Sequence, residues 1–192
     1  MTTRFFKSLF SIVTLVVVSY ATTGFQTLHK EDIVTSYIKA RNKYNTKKVN
    51  TLTHNDYFEM FADGSMEIEN KEKLMDAILW GKELDSHIKL LDIKSDGETV
   101  TTIEENSNYL DVALKRKVRA FKIVYTFRDN KIHHQKMDTI PGYSNIIRYN
   151  AERYAKFMDY CHQNNLKCNG SFDQESGNRL KKVLKQYSKE NK

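Results

Sequence analysis

Between Phe121 and Ile140 the chain reads FKIVYTFRDNKIHHQKMDTI: apolar and polar residues alternate, a turn-forming Asp129-Asn130 intervenes, and the alternation resumes. A period of two marks a half-buried strand, and a polar dipeptide between two such runs predicts a tight hairpin. Each arm is about ten residues, roughly 33 Å at strand rise, which is longer than usual. Antiparallel strands of that length twist and coil. One face of the sheet is therefore concave and apolar, and other elements must cover it.

The same period recurs twice. "SHIKLLDIKSDGETVTTIEEN" predicts a hairpin turned at Asp96-Gly97, and "DYFEMFADGSMEI" a shorter one at Asp63-Gly64. Covering material comes earlier in the chain. Ile33, Val34, Tyr37 and Ile38 recur at helical spacing, and Thr46 is read as the cap of a short second helix. Asn70 is expected to cap a third helix with Leu74, Met75, Ile78 and Leu79 on its apolar face. After the long hairpin come two more helices. One is expected to be capped by Asn150 and to bury Phe157 and Cys161; the other has capping-box spacing at Ser171 and Gln174.

With 192 residues, 11% aromatics and a single proline, Pro141, the chain is long enough to bury one core. The first residues, MTTRFFKSLFSIVTLVVVSYATTGFQ, have a basic start, an apolar run from Leu9 to Val18 and then small residues. That is the pattern of a cleaved signal peptide, too short for a comfortable span of about 20 residues. The expected division is 1–24 signal peptide, 25–145 main domain and 146–192 helical extension. The product would be secreted or periplasmic, with no stable membrane anchor after cleavage. The net charge is +7, about +5 without the leader. Its lysines are scattered rather than striped, so nucleic acid is not an expected partner. In an oxidising compartment Cys161 and Cys168 are candidates for a disulfide closing a small loop; two reduced thiols are the alternative.

The order of two helices, short hairpin, third helix and long antiparallel strands resembles the nuclear transport factor 2-like (NTF2-like) superfamily, which includes SnoaL-like cyclases and ketosteroid isomerases. "YFEMFADGSMEIENKEKLMDAI" and "VRAFKIVYTFRDNKIHHQKMD" carry the likeness. It implies an α+β fold: a cone-shaped curved antiparallel sheet, a half-barrel, packed on the N-terminal helices, with two C-terminal helices added. It also implies a pocket between sheet and helices. Such folds host many functions. Ketosteroid isomerases use an Asp base and an oxyanion hole of Tyr and a protonated Asp. The positions that overlay on the two acids are Phe61 and Ile123, both apolar, which disfavours that mechanism.

An unbroken alternation pairs Tyr125 with His134, puts His134 inward, and sends His133 to the other face. Adjacent strand histidines then make a poor metal pair, so no metal and no cofactor are expected. A one-residue bulge would instead send His133, Gln135 and Met137 inward. The candidate catalytic residues are His134 as a general base near neutral pH, oriented by Asp138 or Glu104. The candidate ligand-binding residues are Tyr57, Tyr109, Phe121 and Ile123, with Tyr125, Phe127 and His134 at the hairpin. The favoured role is a non-catalytic pocket for a small, largely apolar molecule, with a homodimer through the open sheet face as a further partner; the alternative is a small isomerase, cyclase or hydrolase.

Overall fold

The computed structural model describes residues 29–191. The expected leader, 1–24, lies outside the described residues. The three hairpin signals each produce a strand pair: β1 (Thr53–Phe61) with β2 (Met66–Ile68), β3 (His87–Ser95) with β4 (Thr99–Ser107), and β5 (Arg119–Arg128) with β6 (Lys131–Thr139). At the last turn Asp129 and Asn130 both have positive φ, 52° and 54°. That backbone matches the twist of two paired strands, and Asp and Asn tolerate it.

The strands form one sheet in the order β2-β1-β6-β5-β4-β3. It is not wholly antiparallel, as the sequence had led us to expect: β1 runs parallel to β6. After β2, α3 (Lys71–Glu83) carries the chain to the far edge, and three reversals bring β6 back beside β1 in the same direction. Hairpin signals define neighbours in sequence only, so this pairing lies beyond them. Ladder irregularities at Glu59/Met60, Leu90/Asp92 and Thr126/Phe127 bend the sheet.

The concave face is covered by α1 (Lys30–Asn42), α2 (Thr46–Leu52) and α3. Val34, Val49, Leu74 and Ile78 pack there against Ile123 and Ile132. Asn42 ties the end of α1 to β3, accepting from Ile88 N at 2.8 Å and donating to Ile88 O at 2.7 Å. A second apolar cluster joins Leu84, Leu110, Leu114, Phe157 and Leu184. It lies among α4 (Tyr109–Ala113), α5 (Tyr143–Gln163) and α6 (Gln174–Glu190). Cys161 and Cys168 are bonded to each other within it.

Several helix starts differ from expectation. Asn45, not Thr46, caps α2 by accepting from Lys48 N. Asp173 caps α6 and also accepts a hydrogen bond from the Ser171 hydroxyl, so Ser171 supports the cap without being it. α5 starts seven residues before Asn150, behind Gly142 at φ 87°, a conformation that glycine adopts without steric penalty. Asn150 is buried within the helix and bonds both Lys117 N and Lys117 O at 2.8 Å, pinning α5 to the start of β5. No helix of the described residues is long and apolar enough to cross a membrane.

Candidate active site

A cavity of about 660 Å³ lies between the concave face and the helices. Phe61, Ile78, Trp80, Phe121 and Ile123 supply apolar wall. Tyr143 and Ile147 of α5, the loop 168–172 and Leu180 of α6 close its outer side. The sheet also sends polar side chains into the cavity, Glu59, Glu104 and Gln135 among them.

Alternation sends Tyr57, Glu59 and Phe61 of β1 inward, and Thr102 and Glu104 of β4. Register sets Glu59 beside Gln135, and Gln135 beside Tyr125. Glu59 and Glu104 both line the cavity and are 4% and 1% exposed. A carboxylate so buried needs donors or a counter-charge, and the two satisfy this differently. Glu59 Oε1 accepts from Tyr57 Oη at 2.6 Å and pairs with Arg41 Nη1 at 3.4 Å. Gln135 Nε2 donates to the Tyr37 and Tyr57 hydroxyls, which lie 2.8 Å apart. Glu104 Oε1 accepts only neutral hydroxyls, Thr102 Oγ1 at 2.6 Å and Tyr125 Oη at 2.7 Å. Among the described residues the Oε2 atom of each carboxyl has no protein donor, and it is the oxygen left for a guest.

Burial pushes the Glu104 pKa above the usual carboxyl value; the Thr102 and Tyr125 hydroxyls and the more distant Arg41 oppose this, and Glu59 adds to it. Burial also raises Tyr57 and Tyr125 well above the ordinary phenol, so both remain hydrogen-bond donors. Burial works against the charge on Arg41, but Tyr37 and Glu59 beside it raise its pKa and it stays a cation. Two buried carboxyls thus share one cavity, with the exposed Glu67 also on its lining. Of the buried pair, Glu59 has a cation beside it, and Glu104 has none within bonding reach among the described residues and favours its proton.

A second polar wall is basic. Asp111, held by a capping box with Asn108 at the start of α4, sits between Arg116 and Arg119, 3.2 and 3.6 Å away. One buried carboxylate faces two guanidiniums, and both arginines line the cavity. Burial lowers the Arg116 pKa, which Asp111 partly offsets.

Of the residues expected from sequence, Phe121, Ile123 and Glu104 line the cavity. Tyr57 and Tyr125 lie behind the lining, bonded to the two glutamates. Phe127 packs at the edge of the main core with Lys30 over its ring. Tyr109 packs in the second cluster under Lys181. Asp138 is exposed and bonds Thr139 N. His134 is not in the cavity. The bulged register applies to Gln135 and Met137, which line the cavity, but not to His133, which does not: Phe127 still pairs with Ile132, but Thr126 pairs with His134 and Tyr125 with Gln135. His134 stacks on Phe58 at 4.8 Å outside the cavity, its pKa lowered by burial and by His133. His134 is therefore corrected to Gln135 as the inward residue. The bulge leaves His133 and His134 with their Nδ1 atoms 2.9 Å apart, so the argument that they must diverge fails.

Sequence reasoning missed Arg41 and Glu59, and reached Gln135 only through the bulged alternative. The signal for Glu59 was present: it stands in the inward row between Tyr57 and Phe61, two residues from the overlaid acid position. Arg41 is on α1, and only tertiary packing brings it to the sheet.

No family model matches the sequence, and no curated protein matches it. Among solved structures, a LEH-like epoxide hydrolase of M. tuberculosis is similar at 12% identity and TM-score 0.50, over 66% of this chain and 96% of that one. An NTF2-like protein of unknown function from Cytophaga hutchinsonii is similar at 16% identity and TM-score 0.47, over 59% and 91%. A cystatin-fold protein from Novosphingobium aromaticivorans is similar at 16% identity and TM-score 0.48, over 57% and 97%. At such identities the likeness is one of fold. An open curved sheet, helices on its concave face and a cavity between them give this chain an α+β NTF2-like fold.

Proposed function

We propose that the chain is an acid–base enzyme that adds water across a C–O bond of a compact, largely apolar molecule, the simplest being an epoxide. One observation carries this reading: two buried carboxyls in unlike environments share the cavity, Glu59 beside Arg41 and Glu104 beside hydroxyls alone. Carboxyls with unlike environments divide into a base and an acid. Glu59 Oε2 takes a proton from water while the water oxygen bonds to carbon. The C–O bond breaks toward oxygen, which receives the proton of Glu104 Oε2. The product is a diol, and a proton returned from Glu59 to Glu104 restores the site. Tyr57 and Gln135 hold Glu59 in place, and Arg116 and Arg119 suit a substrate with an oxygen-bearing end. The fold likeness to an LEH-like epoxide hydrolase agrees with this chemistry without carrying it.

Turnover of a panel of small alkyl and aryl epoxides in ¹⁸O-water is the test. One labelled oxygen in the diol is expected. Glu59→Gln and Glu104→Gln should each lower kcat by about 10²–10⁴-fold, the usual size of a general acid or base contribution. The second reading is a non-catalytic holder of a small apolar molecule, favoured by the aromatic and aliphatic walls. Retention of an unaltered guest with no turnover of the panel, in the native chain as in both variants, sinks the enzyme reading and leaves the holder.

We further propose that the mature chain acts outside the cytoplasm. The leader-like start and a disulfide of the kind that persists in oxidising compartments support this. An intact mass still including residues 1–24, in protein recovered from its host, would contradict it.

A further inference from the structure

The bulge that sends Gln135 inward also builds something outside the cavity. β1 leaves its ladder with β6 between Thr53 and Phe58, and in that gap His54 and Asp56 face His133. Ligand atoms of these three residues lie within 4.8 Å of one another. His54 Nδ1 is 3.7 Å from Asp56 Oδ2, and its Nε2 is 3.5 Å from Asp129 Oδ2 on the β5–β6 turn. None of the four lines the cavity.

Two imidazoles and a carboxylate, with a second carboxylate alongside, form a donor set of borderline softness. Such sets suit Zn(II), Co(II) or Ni(II) rather than Ca(II) or Mg(II), which prefer all-oxygen shells. The surroundings also orient the ligands. His133 Nδ1 is within hydrogen-bond distance of His134 Nδ1, which leaves His133 Nε2 as its free nitrogen. Phe58 meets the His133 ring edge-on at 5.6 Å and stacks flat on His134. A partner on one ring nitrogen commonly sets which nitrogen a ligating histidine presents. A cation beside the group, Arg128, is 3.4 Å from Asp56 and exposed, so it can swing away when a metal arrives.

We propose that His54, Asp56 and His133, with Asp129 within reach, bind one borderline divalent metal ion that bridges the unpaired stretch of β1 to β6. This surface site is separate from the acid–base cavity. Its natural role follows from its place: it closes a gap in the sheet, so a bound ion stabilises the fold by favouring the folded state.

Zinc chloride titrated into the full chain, followed by calorimetry, tests this, with Co(II) absorption as a spectroscopic check on coordination. One equivalent per chain is expected, along with a rise in Tm on adding zinc. His54→Ala and His133→Ala should each weaken binding at least tenfold while keeping the native circular dichroism. His162→Ala, remote from the cluster, should bind as the unaltered chain does. Absence of binding overturns the proposal, and so does binding that survives both His54→Ala and His133→Ala. The outcome is independent of epoxide turnover, because neither histidine touches the cavity.

Discussion

Glu104 is the residue whose environment has the most measurable consequence. Its folded pKa lies above the usual 4.5, chiefly through burial. For such a group the stabilising neutral form is fully present below the unfolded pKa, and stability is lost as pH rises through the folded value. Glu104→Gln keeps an oxygen that accepts from Thr102 and Tyr125 and removes the titration. The variant and the native chain should therefore have equal Tm below about pH 4.5, the unfolded value, and the variant should become the more stable as pH rises. Thermal melts across pH 4–9 would show this; a gap of constant size, or one favouring the native chain at high pH, would contradict a buried neutral acid. Arg119 acts differently, since it lines the wall and touches neither glutamate. In the enzyme reading Arg119→Gln should raise KM for oxygen-bearing epoxides and leave kcat nearly unchanged. An equal loss in kcat would place Arg119 in the chemistry. At this scale the sequence was half legible. Apolar inward residues such as Phe121 and Ile123 follow from alternation, but the choice between His134 and Gln135 hangs on a single unpaired residue.

At the scale of elements, helices and hairpins follow local rules and their ends do not. Period and turn chemistry predict every strand pair within the long hairpins. Caps were misjudged where two polar residues compete, as with Asn45 and Thr46, because either side chain satisfies a free N–H. The bulge at His133 has no such local signal; it lets Ile132 and Gln135, three residues apart, both face inward. The α3–α6 contact depends on one glycine. A Cβ at Gly177 would lie 3.0 Å from Trp80 O and 3.1 Å from Glu83 Cβ. A backbone neighbour cannot rotate away as a side chain can, so the helices would have to part. Gly177→Val should lower the unfolding free energy by about 1–3 kcal/mol, the usual penalty of overpacking, as read from urea denaturation. An unchanged midpoint would mean that the two helices separate without loss.

For the whole molecule, the last two helices are part of the cavity wall as well as an appendage. Tyr143, Ile147 and Leu180 line the cavity, while Phe157 and Leu184 bury the ends of α3 and α4. A chain ended after Pro141 should expose Leu84, Leu110 and Leu114, bind an apolar dye strongly and lose its guest or substrate. Retained activity in that truncation would show that the sheet and first helices enclose the site by themselves. The bond between Cys161 and Cys168 secures the loop 168–172 that finishes the wall. Closing so short a loop contributes about 2–3 kcal/mol in the chain-entropy view, so reduction should lower Tm and loosen that side of the cavity first.

The amino-acid order by itself determined the strands, every described helix except the short α4, and the existence of an apolar sheet face, because these follow from periodicity and turn chemistry acting over a few neighbouring residues. Only the tertiary structure decided the parallel β1–β6 pairing, the bulge, and the meeting of Arg41, Glu59 and Glu104. Those depend on residues dozens of positions apart, brought together by packing, and no local pattern records which polar groups a shared core will place face to face.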